Sequence, residues 1–258
     1  MEYLFEVKDL HKIYNTKDQY SEAQVIFEKE SFTIDKESIA IIQGKSGCGK
    51  SSLLNLLSLL DQPNAGEIAI NSEYITKHLP ELEIHEDRFT YSDSEDKKAS
   101  FIRNRCFGFI FQNFHLVPHL NVLENVMLPQ LFSGVKNEVH ASQKLEEVEL
   151  TEKLNKYPEE LSGGEKQRVA IARALIMNPS IIFADEPTGN LDSENAKIII
   201  DLLENLSQEH KTKLIIVTHD HEMKETLKTN VEGYRNTGRI EPIFIKDKKI
   251  IVDQFIDY

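Results

Sequence analysis

The run GKSGCGKSS at residues 44–52 sets Gly44, Gly49, Lys50 and Ser51 in the spacing Gly-x-x-x-x-Gly-Lys-Ser. A turn of this kind wraps backbone N–H groups around a polyphosphate at a helix N-terminus. Lys50 then reaches the β- and γ-phosphates as a point charge, and the Ser51 hydroxyl is a ligand for Mg2+. Gly44, Gly47 and Gly49 keep side chains off the phosphates, and Lys45, Ser46, Cys48 and Ser52 complete the cradle. Backbone donors run from Ser46 to Ser52, with the Ser52 hydroxyl directed at the α-phosphate. Asp185 closes the apolar run IIFAD, where a carboxylate is costly unless it holds a metal or the metal's water. Glu186 follows it, and His219 ends the run LIIVTH. Side chains at strand C-termini of an open α/β sheet face the ligand crevice. In LSGGEKQ, residues 161–167, Ser162, Gly163 and Gly164 offer a hydroxyl and backbone donors at a helix start, an anion-binding arrangement. In-line attack of water on a γ-phosphate needs charge neutralisation, a metal and an oriented nucleophile. Lys50 supplies a point charge and Ser51 a ligand for the metal.

Such groups need elements to hold them. Residues 3–7 read as a strand opening an N-terminal β layer. Residues 39–43 form a short apolar strand into the glycine turn, and 51–60 the helix leaving it. Residues 64–66 read as a turn before a strand at 67–70. A helix over 168–177 is closed by Asn178-Pro179. Residues 181–183 and 214–217 are compact apolar runs, as buried parallel strands are, with a helix over 194–206 between them. The alternation predicts an α/β fold with a parallel sheet and crossover helices. Residues 79–98 are polar and acidic without a period and are expected to be a surface excursion. Residues 138–156 read as short amphipathic helices carrying Val139, Leu145, Val148, Leu150 and Leu154. The tail predicts a β-hairpin, 243–245 against 250–252 around Lys246-Asp247-Lys248-Lys249. No internal repeat is visible, so one cassette is expected.

The net charge of −13 argues against a nucleic-acid binder, which needs a basic stripe, and fits a soluble cytosolic body. Cys48 and Cys106 are too few for a disulfide framework. The stretch 53–60, interrupted by Asn55 and Ser58, falls well short of the ~20 apolar residues that span a bilayer. The start, MEYLFEVKDL, lacks a basic n-region and does not read as a signal peptide. Any membrane role is therefore expected to come through a partner chain.

GKSGCGKSS, Gln112, LSGGEKQ, IIFADE at 181–186 and His219, in that order, resemble the ATPase subunit of an ABC transporter over roughly residues 3–240. The resemblance implies a P-loop NTPase (RecA-like) core with an N-terminal antiparallel β layer. A small helical subdomain at about 113–164 is inserted, and residues 1–258 form a single ABC ATPase domain. It implies ATP and Mg2+, with Ser51, Gln112 and Asp185 serving the metal. Glu186 is then the general base, and His219 the switch histidine that contacts the γ-phosphate and orients Glu186. Gln112 is the Q-loop glutamine, and Tyr14 the aromatic residue stacked on adenine. Ser162, Gly163 and Gly164 close over ATP held by the opposite protomer, and Leu191-Asp192 resembles the loop crossing that interface. The segments FIRNR, FGFIFQ, LVPHLNVLENV and ADEPTGNLD resemble the lipoprotein-release and macrolide-exporter ATPases. The implied partners are a second copy or a paralogous ATPase, and an integral membrane permease at the cytoplasmic face. The apolar stretch from Phe114 to Phe132, with Leu116 as a test position, is expected to receive a permease helix. The alternative is a soluble or regulatory ABC ATPase acting without transport. The chain departs from the family pattern in Lys36-Glu37-Ser38, which replaces the usual glycine turn, and in a longer acidic excursion at 79–98. It departs also in a shorter stretch from Gln112 to Ser162, which implies a trimmed helical subdomain, and beyond His219, where the match weakens over residues 221–224.

Overall fold

The computed structural model describes residues 2–14, 23–36, 38–82, 84, 87–91, 96–219 and 239–252. Residues 221–224, Glu37 and parts of the acidic excursion lie outside the described residues. In chain order the elements are β1 (Tyr3–Tyr14), β2 (Gln24–Asp35), β3 (Ser38–Gly44), α1 (Lys50–Leu57), β4 (Ala65–Asn71), α2 (Glu73–Thr76), β5 (Arg88–Thr90) and α3 (Asp96–Cys106). There follow β6 (Phe107–Phe111), α4 (Val122–Phe132), α5 (Glu138–Glu147), α6 (Gly163–Leu175), β7 (Ile181–Asp185), α7 (Ser193–His210), β8 (Lys213–Val217), β9 (Arg239–Lys246) and β10 (Lys249–Val252). Two compact units divide the chain: Met1–Arg103 with Asn236–Tyr258, and Asn104–Arg235. Among the described residues no helix is long and apolar enough to cross a membrane.

The first unit holds the expected antiparallel layer, in the order β2-β1-β4-β5. Its strands turn Leu4, Phe5, Val7, Ile34 and Ile68 inward, each buried. The turn expected at 64–66 is partly strand: Ala65 pairs with His11, so β4 begins there. The excursion also departs from a solvated loop. Phe89 and Tyr91 are buried, and β5 pairs with β4, because those two aromatics alternate on one face of a strand. In the same unit β3 pairs in parallel with β9. The tail hairpin is as predicted, β10 pairing antiparallel with β9. Asp247 and Lys248 take φ 51° and 66° at its turn, the positive-φ pair that matches strand twist. Helix α1 stops at Leu57 rather than at residue 60, since Leu59 adopts φ 60°.

In the second unit β6, β7 and β8 are parallel neighbours, and their pairing aligns Phe111 with Asp185 and Asp185 with Val217. The strands are apolar on both faces; Ile181, Ile182, Phe183, Leu214, Ile215 and Ile216 are all buried. Phe183 packs edge-on against Phe107 at 5.1 Å and stacked on Phe109 at 5.9 Å. Cys106, the last residue of α3, is buried, and burial pushes its thiol up to about 12, so it stays protonated and inert. Helices α4, α5 and α6 pack on one another. Leu145, Val148 and Leu150 are buried as expected, but Val139 is 70% exposed.

One buried side chain fastens the loop before α4. Asn125, fully buried, accepts from the Val117 N–H at 2.8 Å and donates to the carbonyls of Val117, Leu120 and Asn121 at 3.1, 2.9 and 3.0 Å. The Val117 and Asn121 carbonyls also accept from the Leu120 and Asn125 N–H groups at 3.2 and 2.9 Å, so loss of the amide strands chiefly the Val117 N–H and the Leu120 carbonyl. Asn125→Ala is expected to destabilise the fold by about 2–3 kcal/mol, the cost of stranding buried polar groups. Urea unfolding measures this; a loss below about 0.5 kcal/mol contradicts the assignment.

Candidate active site

In the first unit β3 delivers the chain to the glycine turn, and α1 leaves it at Lys50. The N-cap, Gly49, has φ 108° and brings no capping side chain of its own to the first N–H groups of α1. Those donors are what an anion at a helix N-terminus uses. A Cβ at Gly49 would stand 2.7 Å from Ile26 Cγ2 and 3.0 Å from Phe27 Cζ, so β2 presses against the turn and only glycine fits. The Lys50 ammonium donates to the carbonyls of Gly44 and Lys45 at 3.0 and 3.2 Å. Its stem is buried, which holds the charge at the turn rather than in solvent. Lys45, Ser46, Gly47 and Ser51 are exposed, while Cys48 and Ser52 are half-buried.

Tyr14 ends β1 in the same unit. Its hydroxyl donates to Asp61 Oδ2 at 2.6 Å, and the Lys12 ammonium lies 4.7 Å from its ring centroid. Burial and then the Asp61 carboxylate raise the Tyr14 pKa, while a hydrogen bond with Ser52 works the other way. The tyrosine therefore touches the cradle through Ser52. Lys12 and Asp61 were not singled out from sequence. The spacing Lys12-x-Tyr14 puts both on one strand face and is the signal that points to Lys12.

In the second unit the three aligned strands end at one level, so the residues after Phe111, Asp185 and Val217 emerge side by side. These are Gln112, Glu186 and the pair Thr218-His219. Glu186 takes φ 48°, a left-handed turn that costs about 1 kcal/mol or more for a non-glycine residue. Its N–H donates to the Val217 carbonyl at 2.9 Å, which holds the turn. The carboxylate then meets His219, Oε1 to Nδ1 at 3.0 Å, with His219 63% and Glu186 20% exposed. Gln112 packs over Gly189, where a Cβ would come 2.7 Å from its Nε2. Asn190 Nδ2 donates to the Gln112 carbonyl at 2.8 Å. Arg173 of α6 donates to the carbonyls of His115 and Phe114, both at 2.6 Å, tying the segment after Gln112 to that helix. Sequence reasoning missed Gly189, Asn190 and Arg173 as supports, because each acts on a backbone or amide distant in the chain.

Ser162 is the N-cap of α6 in a reciprocal capping box. Its hydroxyl accepts from the Glu165 N–H at 3.3 Å, and Glu165 Oε2 accepts from the Ser162 N–H at 2.8 Å. The anion-binding expectation is narrowed accordingly. Two N–H groups are committed within the box, leaving those of Gly163 and Gly164 and the proton of the Ser162 hydroxyl. The Ser162 backbone N–H, then Lys153, keep the Glu165 carboxyl below its ordinary range. Asp192 caps α7, its Oδ1 accepting from the Asn195 N–H at 2.9 Å.

Among the described residues no three His, Cys, Asp or Glu side chains cluster as a metal set. Magnesium carried by phosphates needs only one or two hard oxygens from the protein. The Ser51 hydroxyl, the Gln112 amide and the Asp185 carboxylate are donors of that kind.

Residues 27–189 match the ABC transporter family. The lipoprotein-releasing system ATP-binding protein LolD of Desulfotalea psychrophila is 39% identical over 223 residues, covering 85% of this chain and 91% of that protein. The macrolide export ATP-binding/permease protein MacB of Chlorobium phaeobacteroides is 41% identical over 222 residues, covering 85% of this chain but 31% of that protein. The chain thus spans about a third of that exporter. Among solved structures, a dimeric post-hydrolysis state of the ATP-binding cassette MJ0796 bound to ADP and Pi aligns with TM-score 0.75 at 33% identity, covering 97% of each chain.

Gly49→Ala forces a Cβ against β2 at a φ that alanine adopts with strain. It is expected to lower affinity for inorganic tripolyphosphate more than about tenfold, the effect of displacing the N–H groups that would bind it. Calorimetry on folded protein decides this, and an unchanged affinity contradicts the geometry.

Proposed function

The chain belongs to the ABC transporter family, and from that premise we propose that it is the ATP-hydrolysing subunit of a membrane transporter, closing as a dimer on ATP to drive an integral membrane permease. The observation that carries the mechanism is the Glu186–His219 pair at 3.0 Å. Glu186 accepts the proton of a water as that water's oxygen attacks the γ-phosphorus; the bond to the β–γ bridging oxygen breaks, and ADP and phosphate result. His219 holds the carboxylate in place and contacts the γ-phosphate. Lys50 and the N–H groups of 44–52 bind the phosphates. Ser51 of the first unit and Gln112 and Asp185 of the second are the residues that would hold magnesium, which would neutralise phosphate charge. Tyr14 stacks on adenine.

Ser162, Gly163 and Gly164 serve ATP bound by the opposite protomer, a role that fits the donors their capping box leaves uncommitted. The intact base and histidine favour turnover over a purely regulatory module. The LolD and MacB relatives support a place at the cytoplasmic face beside a permease. In the second unit Leu131, Phe132, Val135 and Val139 are 49, 82, 42 and 70% exposed, an apolar set suited to a permease helix. Leu116 is half-buried and Val126 and Met127 are buried, so Phe132 replaces Leu116 as the test position.

His219→Ala is expected to spare ATP binding and lower turnover about a hundredfold, the scale of misplacing a general base. Steady-state ATPase assays and nucleotide titration check both halves, and near-normal turnover contradicts the pair's role. Lys50→Ala and Ser162→Arg chains, each inactive alone, are expected to recover part of the activity when mixed. Mixed dimers without recovery would place each site in one chain. Phe132→Glu is expected to fold and bind ATP yet lose co-purification with the permease, and wild-type recovery of the complex would exclude this surface.

A further inference from the structure

Lys12 is a buried cation, its side chain 7% exposed, that neither phosphate binding nor hydrolysis uses. Its ammonium is held by Asp61 Oδ1 and the Gln62 carbonyl, both at 2.7 Å. It lies over one face of Tyr14, 4.7 Å from the ring centroid. Asp61 completes the arrangement by accepting from the Tyr14 hydroxyl at 2.6 Å through its other oxygen. One carboxylate thus fixes both the ring's outer end and the cation beneath it.

We propose that Lys12 and Asp61 are positioning residues for the nucleotide base, fixing the Tyr14 ring so that its remaining face is presented to adenine. This rests on the reading that Tyr14 stacks on the base. A ring already ordered loses less rotamer freedom when the base arrives, and a cation bound to one face stays attracted to the ring's π density there. Tyr14 is 37% exposed, consistent with one open face. Burial opposes ionisation of Asp61, yet the hydrogen bonds from Lys12, Tyr14 and the Gln62 N–H outweigh it and hold the carboxyl below its usual range. The Asp61 carboxylate is therefore charged at neutral pH.

The clamp also belongs to the cradle's own helix. Asp61 lies in the turn after α1, and that turn is braced from outside. Arg103 Nη1 donates to the Leu59 carbonyl at 2.5 Å. Gln62 Nε2 donates to the Tyr91 hydroxyl at 3.0 Å, and that hydroxyl in turn donates to Asp96 Oδ1 at 3.4 Å. Tyr14 meets α1 again through Ser52. The base platform is thereby fixed to the same helix whose N-terminus faces the phosphates, which sets the base-to-phosphate distance the site accepts.

The test compares ATP with inorganic tripolyphosphate, which has no base, by calorimetry on the full chain and on Tyr14→Ala, Lys12→Met, Lys12→Arg, Asp61→Asn and Tyr14→Ala/Asp61→Asn. Lys12→Met and Asp61→Asn are expected to weaken ATP about fivefold, a stacking contact's worth, while tripolyphosphate binds as to wild type. Lys12→Arg, which keeps the cation, should retain most of the ATP affinity. In the Tyr14→Ala background Asp61→Asn should add nothing. Equal weakening of both ligands would make the pair a structural brace and overturn the proposal, as would an additive effect without the tyrosine. Tyr14→Ala with unchanged ATP affinity would remove the stacking reading itself. Weakening by Tyr14→Ala alone, with Lys12→Met and Asp61→Asn silent, would remove only the positioning role.

Discussion

The in-register ending of three parallel strands is the constraint from which the chemistry of the second unit follows. Phe111, Asp185 and Val217 stand at one level across β6, β7 and β8. Each strand therefore releases its next residue at the same edge: Gln112, Glu186 and, one position later, His219. A slip of one residue in either pairing would turn every side chain of that strand to the other face. It would also separate a carboxylate from a histidine that now lie 3.0 Å apart. Specific side-chain packing holds the register, with Phe183 edge-on to Phe107 and stacked on Phe109. The geometry of this edge is thus secured by core packing, and a left-handed turn at Glu186 aims its side chain.

Supports around this edge come from elements remote in the chain. Asn190 and Arg173 hold the backbone at Gln112 and just after it. Asn125 holds the loop that follows. The same economy governs the first unit, where β2 side chains shape the glycine turn at Gly49 and Asp61 serves both Lys12 and Tyr14. Charges here are placed by several hydrogen bonds each, which is what keeps them fixed in partly buried surroundings.

Much of this was legible in the sequence because the informative signals are local. The apolar runs at 39–43, 181–183 and 214–217 are strands, since a buried parallel strand is a short apolar run whatever its neighbours. The glycine spacing marked the turn between β3 and α1, and Lys246-Asp247-Lys248-Lys249 marked the hairpin turn. What escaped depends on partners far along the chain. Lys12 and Asp61 are 49 residues apart, and Arg173 acts 58 residues from His115. Phe89 and Tyr91 were submerged in an acidic stretch, though their alternation carried a weak strand signal. The early end of α1 reflects the positive φ of Leu59, a residue type that gives no warning of it. Nor does Glu186 announce its left-handed backbone, because nothing in an Asp-Glu pair predicts a turn held by the Val217 carbonyl.

The central claim is that Glu186, aimed by its turn and steadied by His219, is the base that activates water while the rest of the site binds ATP. Glu186→Gln keeps the shape and removes the proton acceptor. Its single-turnover hydrolysis rate, followed together with sedimentation in the presence of ATP and magnesium, tests that claim most directly. The account predicts a fall of at least about a hundredfold in hydrolysis, unchanged nucleotide affinity and a stable ATP-bound dimer. Hydrolysis at near the wild-type rate, or loss of ATP binding with the substitution, would contradict it.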